Sequence, residues 1–143
     1  MIPRADVIRK LLIDLGLGAS TNTSTSVWPI YVMQMPTTPD NAIAVFDTAG
    51  LLQGRIMETG EQIEKPGIQI IVRSLNSLTA YQKVRAIALA LDATYQRVIN
   101  WSSANYRLDN FSRQGDVLPM GLDEADRPRY NFALNGIVTL KDL

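Results

Sequence analysis

The feature that most constrains the fold is an apolar run followed directly by an amphipathic one. Residues 67–73, GIQIIVR, are rich in Ile and Val, and a continuous apolar run of this kind is typical of a central, well-buried strand. Residues 78–94 repeat apolar side chains at helical spacing, which predicts a long helix with one face in the core. Asn76 or Ser77 precedes that helix and can cap its first N–H groups. The predicted core face of the helix comprises Leu78, Tyr81, Val84, Ile87, Ala88 and Leu91.

The N-terminal part of the chain predicts a helix and a polar connection. Residues 4–15 place their apolar side chains on one helical face, and Gly16 is a plausible helix end. Residues 19–26, ASTNTSTS, have the composition of a linker or loop. At 143 residues the chain is expected to form one domain over residues 1–143, with its core in residues 27–143.

Two strand patterns follow the polar segment. Residues 27–36 and residues 42–50 are rich in apolar and β-branched side chains, and the turn signal TTPDN lies between them. This order predicts a hairpin. Pro29 lies inside the first pattern and favours an edge position, because proline cannot donate to a strand ladder.

The second half of the chain adds further strands. Tyr106 and Leu108 indicate an alternating strand, and residues 130–140 alternate again at the end of the chain. Period-two alternation is typical of a strand with one buried face. The order of elements predicts an α+β fold: a mainly antiparallel sheet with two helices packed on one face, plus a long hairpin arm or loop.

That arm or loop is residues 50–66, which contain three glycines and a proline. The segment is too long for a tight turn, and long connections of this kind are usually functional or disordered. Its apolar residues have no obvious partner in the core. Two interpretations stay open: these residues pack locally, or they pack against a neighbouring subunit.

Composition excludes several classes of function. The chain has no Cys and no His, so thiolate metal sites, thiol nucleophiles and the commonest general base are absent. The 14 basic and 14 acidic residues balance, whereas nucleic-acid binders usually show a basic excess. No apolar run reaches the roughly 20 residues of a membrane span. These observations predict no catalysis, no cofactor, no metal and no membrane partner. They also predict a cytoplasmic origin, because oxidative folding is not needed.

The acidic letters near the C-terminus do not complete a known motif. Asp123, Glu124 and Asp126 form part of a DEAD sequence, but the chain contains no phosphate-binding GxxxxGK[ST] loop. A Ca²⁺ loop needs a central Gly and a distal Glu, and neither is in the required place. Asp126 stands beside Arg127 and Arg129, which favours a turn held by local ion pairs.

Two blocks of sequence carry a family resemblance. The first is KPGIQIIVRSLNSLTAYQKVRAIALALD, a strand leading into the long helix. The second is RQGDVLPMGLDEADRPRYNFALNGIVTL, in which P-x-G-x-D-x-x-x-R precedes the final strand. In this order and spacing, residues 27–140 resemble the tail terminator and neck proteins of tailed bacteriophages, which are sometimes classed as minor capsid proteins.

The resemblance implies a structural virion protein. Such proteins form a ring, typically of six subunits, which caps the tail tube and joins it to the head connector while duplex DNA passes through the lumen. The expected partners are other copies of the chain, the tail tube protein, the connector or neck proteins and DNA bound without sequence specificity. The expected location is the virion, after synthesis in the bacterial host cytoplasm. The candidate residues for a subunit interface or for an acidic, DNA-repelling lumen arm are Leu51, Leu52, Arg55, Ile56, Met57, Glu58, Glu61 and Glu64.

The resemblance also makes residues 115–129 a candidate loop for docking to the tube or the neck, with a solvated turn as the alternative. Its candidate docking residues are Asp116, Asp123, Glu124, Asp126, Arg127 and Arg129. Three other functions remain open from the sequence. The chain could be another neck component, such as a head–tail connector or a tail completion protein. It could be a small ligand-binding domain or carboxylate hydrolase, or a regulatory DNA-binding module.

Overall fold

The computed structural model describes residues 3–19, 28–36, 40–55, 62–101, 103–122 and 128–142. Within these ranges the chain forms two helices and seven strands. In chain order the elements are α1 (Arg4–Asp14), β1 (Ile30–Val32), β2 (Ala42–Arg55), β3 (Gln62–Ser74), α2 (Ser77–Asp92), β4 (Arg97–Trp101), β5 (Ala104–Arg113), β6 (Leu118–Leu122) and β7 (Tyr130–Asp142).

All seven strands belong to one sheet. Its order is β1-β2-β3-β7-β5-β4, and β6 also pairs with β7. Every pairing is antiparallel except that of β1 with β2. The predicted α+β fold with a mainly antiparallel sheet is therefore confirmed, and β3 occupies the central position that its apolar run predicts.

The predicted hairpin between the first two strands is wrong, because β1 runs parallel to β2. Of the described residues 28–36, only three form a strand. The left-handed backbone of Met33, with φ 61°, ends that strand early. Because the two strands are parallel, Ile30 at the start of β1 lies beside Ile43 near the start of β2. The carbonyl of Pro29 accepts from the N–H of Ile43 at 3.0 Å, and β1 lies at the edge as its proline predicts.

The core lies between the sheet and both helices. Alternate residues of β3, namely Ile68, Ile70 and Val72, are fully buried on one face. Both helices pack on this face and contribute to the same apolar cluster, so the predicted arrangement of the helices is confirmed. The helical residues in the cluster are Ala5, Val7, Ile8, Leu11 and Leu12 of α1 with Val84, Ile87, Ala88 and Leu91 of α2.

The start of α2 confirms one local prediction and corrects another. The side-chain oxygen of Asn76 accepts from the N–H groups of Leu78 and Thr79 at 2.9 and 3.2 Å, which is an N-cap. The buried face begins at Ala80. Leu78 and Tyr81 are exposed instead of buried, because the helix turns these two positions to its flank. The Tyr81 ring meets the Phe132 ring of β7 edge-on, at a centroid distance of 6.0 Å.

Helix α1 ends at Asp14, and Gly16 just beyond it adopts the left-handed backbone of a helix stop, with φ 75°. The start of the helix depends on a distant residue. Pro3 at the N-cap position provides no side-chain cap. Instead, Asp47 of β2 accepts from the N–H of Ala5 at 2.8 Å. A carboxylate at a helix N-terminus satisfies a free donor and complements the helix dipole. This contact attaches α1 to the β1–β2 side of the sheet.

Candidate functional site

The described residues of the segment 50–66, namely 50–55 and 62–66, form a two-stranded extension of the sheet. The pairing of β3 with β7 ends at Gly67 and Ile137. Strands β2 and β3 continue to pair with each other beyond that point, as far as Arg55 and Gln62. Of the hairpin arm and the loop that the sequence allows here, the paired strands show the hairpin arm. We refer to residues 48–55 and 62–66 as the arm.

The base of the arm is shaped by two glycines and a proline. A Cβ atom at Gly50 would collide with the carbonyl oxygen of Lys65, and one at Gly67 would collide with the side chain of Thr48. The pairing register also shifts between Thr48 and Leu51 and again between Leu52 and Arg55. Pro66 has no N–H to offer to a further strand. These features let β2 and β3 approach each other closely where the arm extends beyond β7.

Four of the eight predicted interface or lumen residues lie on the paired strands of the arm. Leu51 stands opposite Lys65, Leu52 opposite Glu64, and Arg55 opposite Gln62. The other four, Ile56, Met57, Glu58 and Glu61, lie outside the described residues. The structure thus places part of this set on one projecting element, and their contact with a neighbouring subunit or with a lumen stays a prediction.

The predicted docking loop begins in a group of ion pairs beside α2. The Asp116 side chain is 79% exposed and lies 3.7 Å from Nη1 of Arg85. Arg113 lies 3.9 Å from the same carboxylate oxygen and also pairs with Asp92 of α2 at 2.9 Å. Arg85, Arg113, Gly115 and Asp116 line a shallow depression of about 390 Å³. Surface charge pairs contribute little to stability, so a partner that replaced these pairs on binding would cost the fold little.

At the other end of the same loop, the Arg129 side chain is buried and paired within the fold. Its side chain is 4% exposed, and Nη1 lies 3.7 Å from a carboxylate oxygen of Asp40. Nε of Arg73, also buried, donates to the carbonyl of Asp40 at 3.3 Å. Asp116 and Arg129 therefore contact different parts of the molecule. Asp123, Glu124, Asp126 and Arg127 lie outside the described residues, and docking by this loop stays a prediction.

An exposed apolar surface on the flank of α2 was missed from the sequence. Leu75, Leu78 and Tyr81 are exposed at the start of the helix, and Tyr130 is exposed on β7. Tyr130 pairs with Ser74 in the sheet register, directly before Leu75. Helical spacing alone assigns Leu78 and Tyr81 to the core. Nothing in the helical spacing separates these two positions from the buried ones, and in the structure the buried face begins at Ala80.

The edge strands of the sheet differ in how well they are protected against pairing with a strand of another molecule. Strand β1 has three residues and follows Pro29. Strand β6 contains Pro119, and its register shifts before Gly121. In contrast, β4 pairs with β5 in unbroken register over five residues and contains neither Pro nor Gly. Prolines, bulges and short length are the devices that block edge pairing, and β4 has only its brevity and the charge of Arg97.

The described residues offer little for chemistry. They contain no group of three or more acidic, His or Cys side chains that could hold a metal ion. Partial burial lowers the pKa of Lys83 from its ordinary value, while its ammonium group stacks over Trp28 at 5.5 Å from the ring centroid. An open groove of about 620 Å³ borders the C-terminal end of α2. In the part of the chain that the structure describes, no helix is both long and apolar enough to cross a membrane.

Comparisons with known proteins agree with this architecture. A solved structure that carries no functional name matches with a TM-score of 0.51 at 14% identity, covering 95% of this chain and 94% of that chain; at this identity the match supports the fold alone. No curated protein matches the chain. The family model described as bacteriophage tail terminator protein matches residues 11–139. The predicted family is thereby confirmed: the chain belongs to the bacteriophage tail terminator proteins, a family of structural components of the phage virion.

Proposed function

We propose that this chain ends tail assembly by forming a ring on the last layer of the tail tube and then joins the tail to the head connector. The family match over residues 11–139 is the observation that carries this proposal. The ring has six subunits, and the genome passes through its lumen. The protein acts through its shape: one face of the ring fits the tube and the other fits the neck. No covalent bond is made or broken.

The shape of the subunit supports a ring. The arm projects at the β2–β3 side of the sheet, whereas β4 forms the edge at the other end of the strand order. These two surfaces differ, so contact between them in successive copies is heterologous, and heterologous contacts generate closed rings when the rotation permits. The ion-paired group around Asp116 and the apolar flank of α2 are separate from the arm and provide surfaces for the tube and the neck.

The charge of the chain supports passage of DNA rather than capture of it. Acidic and basic residues balance over the whole sequence. A protein that grips DNA neutralises several phosphates with Lys and Arg, and its affinity falls steeply with salt. A ring of neutral subunits lets the duplex slide.

The experiment that tests this function is a phage in which the gene is disrupted and supplied again from a plasmid. Without the protein, electron micrographs should show tails of variable and excessive length. The plasmid copy should restore tails of uniform length that carry heads. Tails that already have uniform length without the protein, but fail to join heads, would assign the chain to a connector or tail completion role.

The purified protein gives a second measurement. Native mass over a range of concentrations, combined with negative-stain images, should show a closed ring with a hole wide enough for duplex DNA. A ring obtained only after adding tail tubes also supports the proposal, because weak interfaces gain from multivalency once a template aligns them. A compact dimer both alone and on tubes would contradict it.

A further inference from the structure

The sheet has a second face, which is turned away from both helices. Ile99 of β4 and Tyr106 of β5 pair with each other and are buried in the core on the helix side. The next pair in the register, Asn100 with Asn105, is exposed. Since successive residues of a strand point to opposite faces, Asn100 and Asn105 lie on the face away from α1 and α2.

Uncharged polar residues continue along this face where β5 meets the end of β7. Asn110 stands opposite Thr139, and Ser112 stands opposite Ile137. The intervening residue Phe111 is buried on the helix side, whereas Asn110 and Ser112 are exposed. We call this surface the polar face, and its uncharged polar residues are Asn100, Asn105, Asn110, Ser112 and Thr139.

The charges of the polar face suit a partner that is negatively charged. Arg107 and Lys141 stand opposite each other in the register. Strands β4 and β5 contain one acidic residue, Asp109. Its carboxylate accepts from Nε of Arg107 at 2.7 Å, and its side chain is only 23% exposed. Two basic residues therefore stand against one acidic residue, whose charge a guanidinium already balances.

The helix side of the subunit presents its carboxylates more openly. Asp14, Asp92 and Asp116 lie on or beside the helices, and although each pairs with a basic residue, each is more exposed than Asp109. Duplex DNA carries about one negative charge per 1.7 Å of its axis, so exposed carboxylates that face it repel it. Of the two sides of the sheet, the polar face is the one better suited to border DNA.

From this distribution of charge we infer that the polar face lines the lumen of the ring and borders the passing duplex DNA, with both helices turned outward. The inference rests on the proposed function and identifies the surface of the subunit that the DNA meets. Asn, Ser and Thr side chains are among those that contact phosphate oxygens in protein–DNA complexes. Neutral contacts of this kind do not displace the counterions of DNA as Lys and Arg do. A lumen lined by them therefore lets the duplex slide.

Photo-cross-linking in complete particles tests this inference. The phage that lacks the gene receives from the plasmid a chain with the photoreactive residue p-benzoylphenylalanine (Bpa) at one position. The polar-face variants are Asn105→Bpa and Ser112→Bpa. Their matched controls on α2 are Gln82→Bpa and Ser77→Bpa, and all four positions are exposed. Particles are irradiated before and during DNA release, and the protein that stays on the denatured genome is measured.

The polar-face variants should leave at least about tenfold more protein on the genome than the controls, because a helix layer about 10–12 Å thick separates the control positions from the lumen. Equal amounts from the two sets would overturn the inference. Cross-links from the polar face to a neighbouring copy instead of to DNA would also overturn it, and would make this face a subunit interface. Complete particles without DNA cross-links at either polar-face position would count against it equally.

A charge substitution gives a second measurement that does not depend on the photoreactive residue. Asn105→Lys adds one basic residue per subunit to the polar face, and Gln82→Lys makes the same change in charge on α2. Asn105→Lys particles should release DNA more slowly at low salt. Their rate should approach that of the wild type towards about 1 M salt, where the screening length falls to about 3 Å. Gln82→Lys particles should release DNA at the wild-type rate.

An unchanged release rate for Asn105→Lys at every salt concentration would contradict a lumen position for this residue. So would an equal slowing by Gln82→Lys. The gene-disruption experiment measures tail length and the joining of heads whichever surface the DNA meets. Failure of this inference is therefore distinguishable from failure of the proposed function.

Discussion

The indole N–H of Trp101 donates to a carboxylate oxygen of Asp6 at 2.9 Å, and this bond joins the edge strand β4 to helix α1 across 95 residues of sequence. The ammonium group of Lys10 lies 5.8 Å from the centroid of the same ring. Helix α1 is attached at its start to Asp47 of β2. It therefore spans the core face between the two sides of the sheet that we propose to meet in successive subunits.

Trp101→Phe should lower the free energy of unfolding by about 1–3 kcal/mol, because the partly buried carboxylate of Asp6 loses its donor while most of the ring is retained. Urea unfolding measures the change. In a double-mutant cycle with Asp6→Ala, we expect a coupling energy of at least about 0.5 kcal/mol. Tyr95→Phe, at an exposed aromatic residue, is the control and should leave stability unchanged. Additive effects of the two substitutions would show that the bond contributes nothing.

Lys83→Met should alter how stability depends on pH. Burial lowers the pKa of Lys83 in the folded chain below its ordinary value of 10.5, so between these two values the unfolded chain binds more protons. Stability due to this group then rises with pH through that window, and its destabilising effect is fully present below the folded pKa. We expect the stability of the wild type to approach that of the variant from below as pH increases towards 10.5. Parallel pH profiles of the two proteins would refute this expectation.

The parts of the fold that could be predicted depend on neighbours in sequence. The cap at Asn76, the end of α1 at Gly16 and the buried strand β3 follow from local backbone preference and apolar patterning. The parallel pairing of β1 could not be read in this way, because it depends on the left-handed residue Met33 and on a carbonyl at Pro29 that meets Ile43 across the fold. A turn signal indicates that the chain reverses. It does not indicate whether the next strand pairs antiparallel or returns to pair in parallel.

The candidate site shows the same division. The glycines and the proline of the arm are a local signal, and they indicate an unusual segment from the sequence alone. The attachment of α1 by Asp47 and by Trp101 joins residues that are 42 and 95 positions apart. An acidic residue and an aromatic residue in strands give no sequence signal that they bind a helix elsewhere.

Gly67→Ala should destabilise the protein through the base of the arm. The added Cβ would meet the side chain of Thr48 and, at 2.7 Å, the carbonyl oxygen of Ala49. Overpacking of this kind costs about 1–3 kcal/mol, measured by urea unfolding. Gly115→Ala is a useful comparison, since its φ of 89° brings backbone strain but a Cβ there has nothing within 4 Å. If Gly67→Ala were as stable as the wild type, the close approach of β2 and β3 at Gly67 would be contradicted.

Asp116→Lys should separate docking from stability. The Asp116 side chain is exposed, and its pairs with Arg85 and Arg113 are long, so the loss in unfolding free energy should stay below about 1 kcal/mol. If the loop docks to the tube or the neck, the variant should form rings of normal mass but yield fewer complete particles in the plasmid complementation experiment. Full complementation would favour the solvated-turn alternative.

Leu78→Ala and Leu91→Ala make the same chemical change at two positions of one helix. Leu91 is fully buried in the core, whereas Leu78 is 62% exposed on the flank of α2. Leu91→Ala should therefore cost about 2–5 kcal/mol of unfolding free energy, from lost apolar contacts and the cavity left behind. Leu78→Ala should change it by no more than about 0.5 kcal/mol, as surface substitutions usually do. Equal losses would return Leu78 to the core face that helical spacing alone predicts. A negligible loss at Leu78, accompanied by weaker attachment of the ring to tail tubes, would mean that this leucine is exposed in order to be covered by a partner.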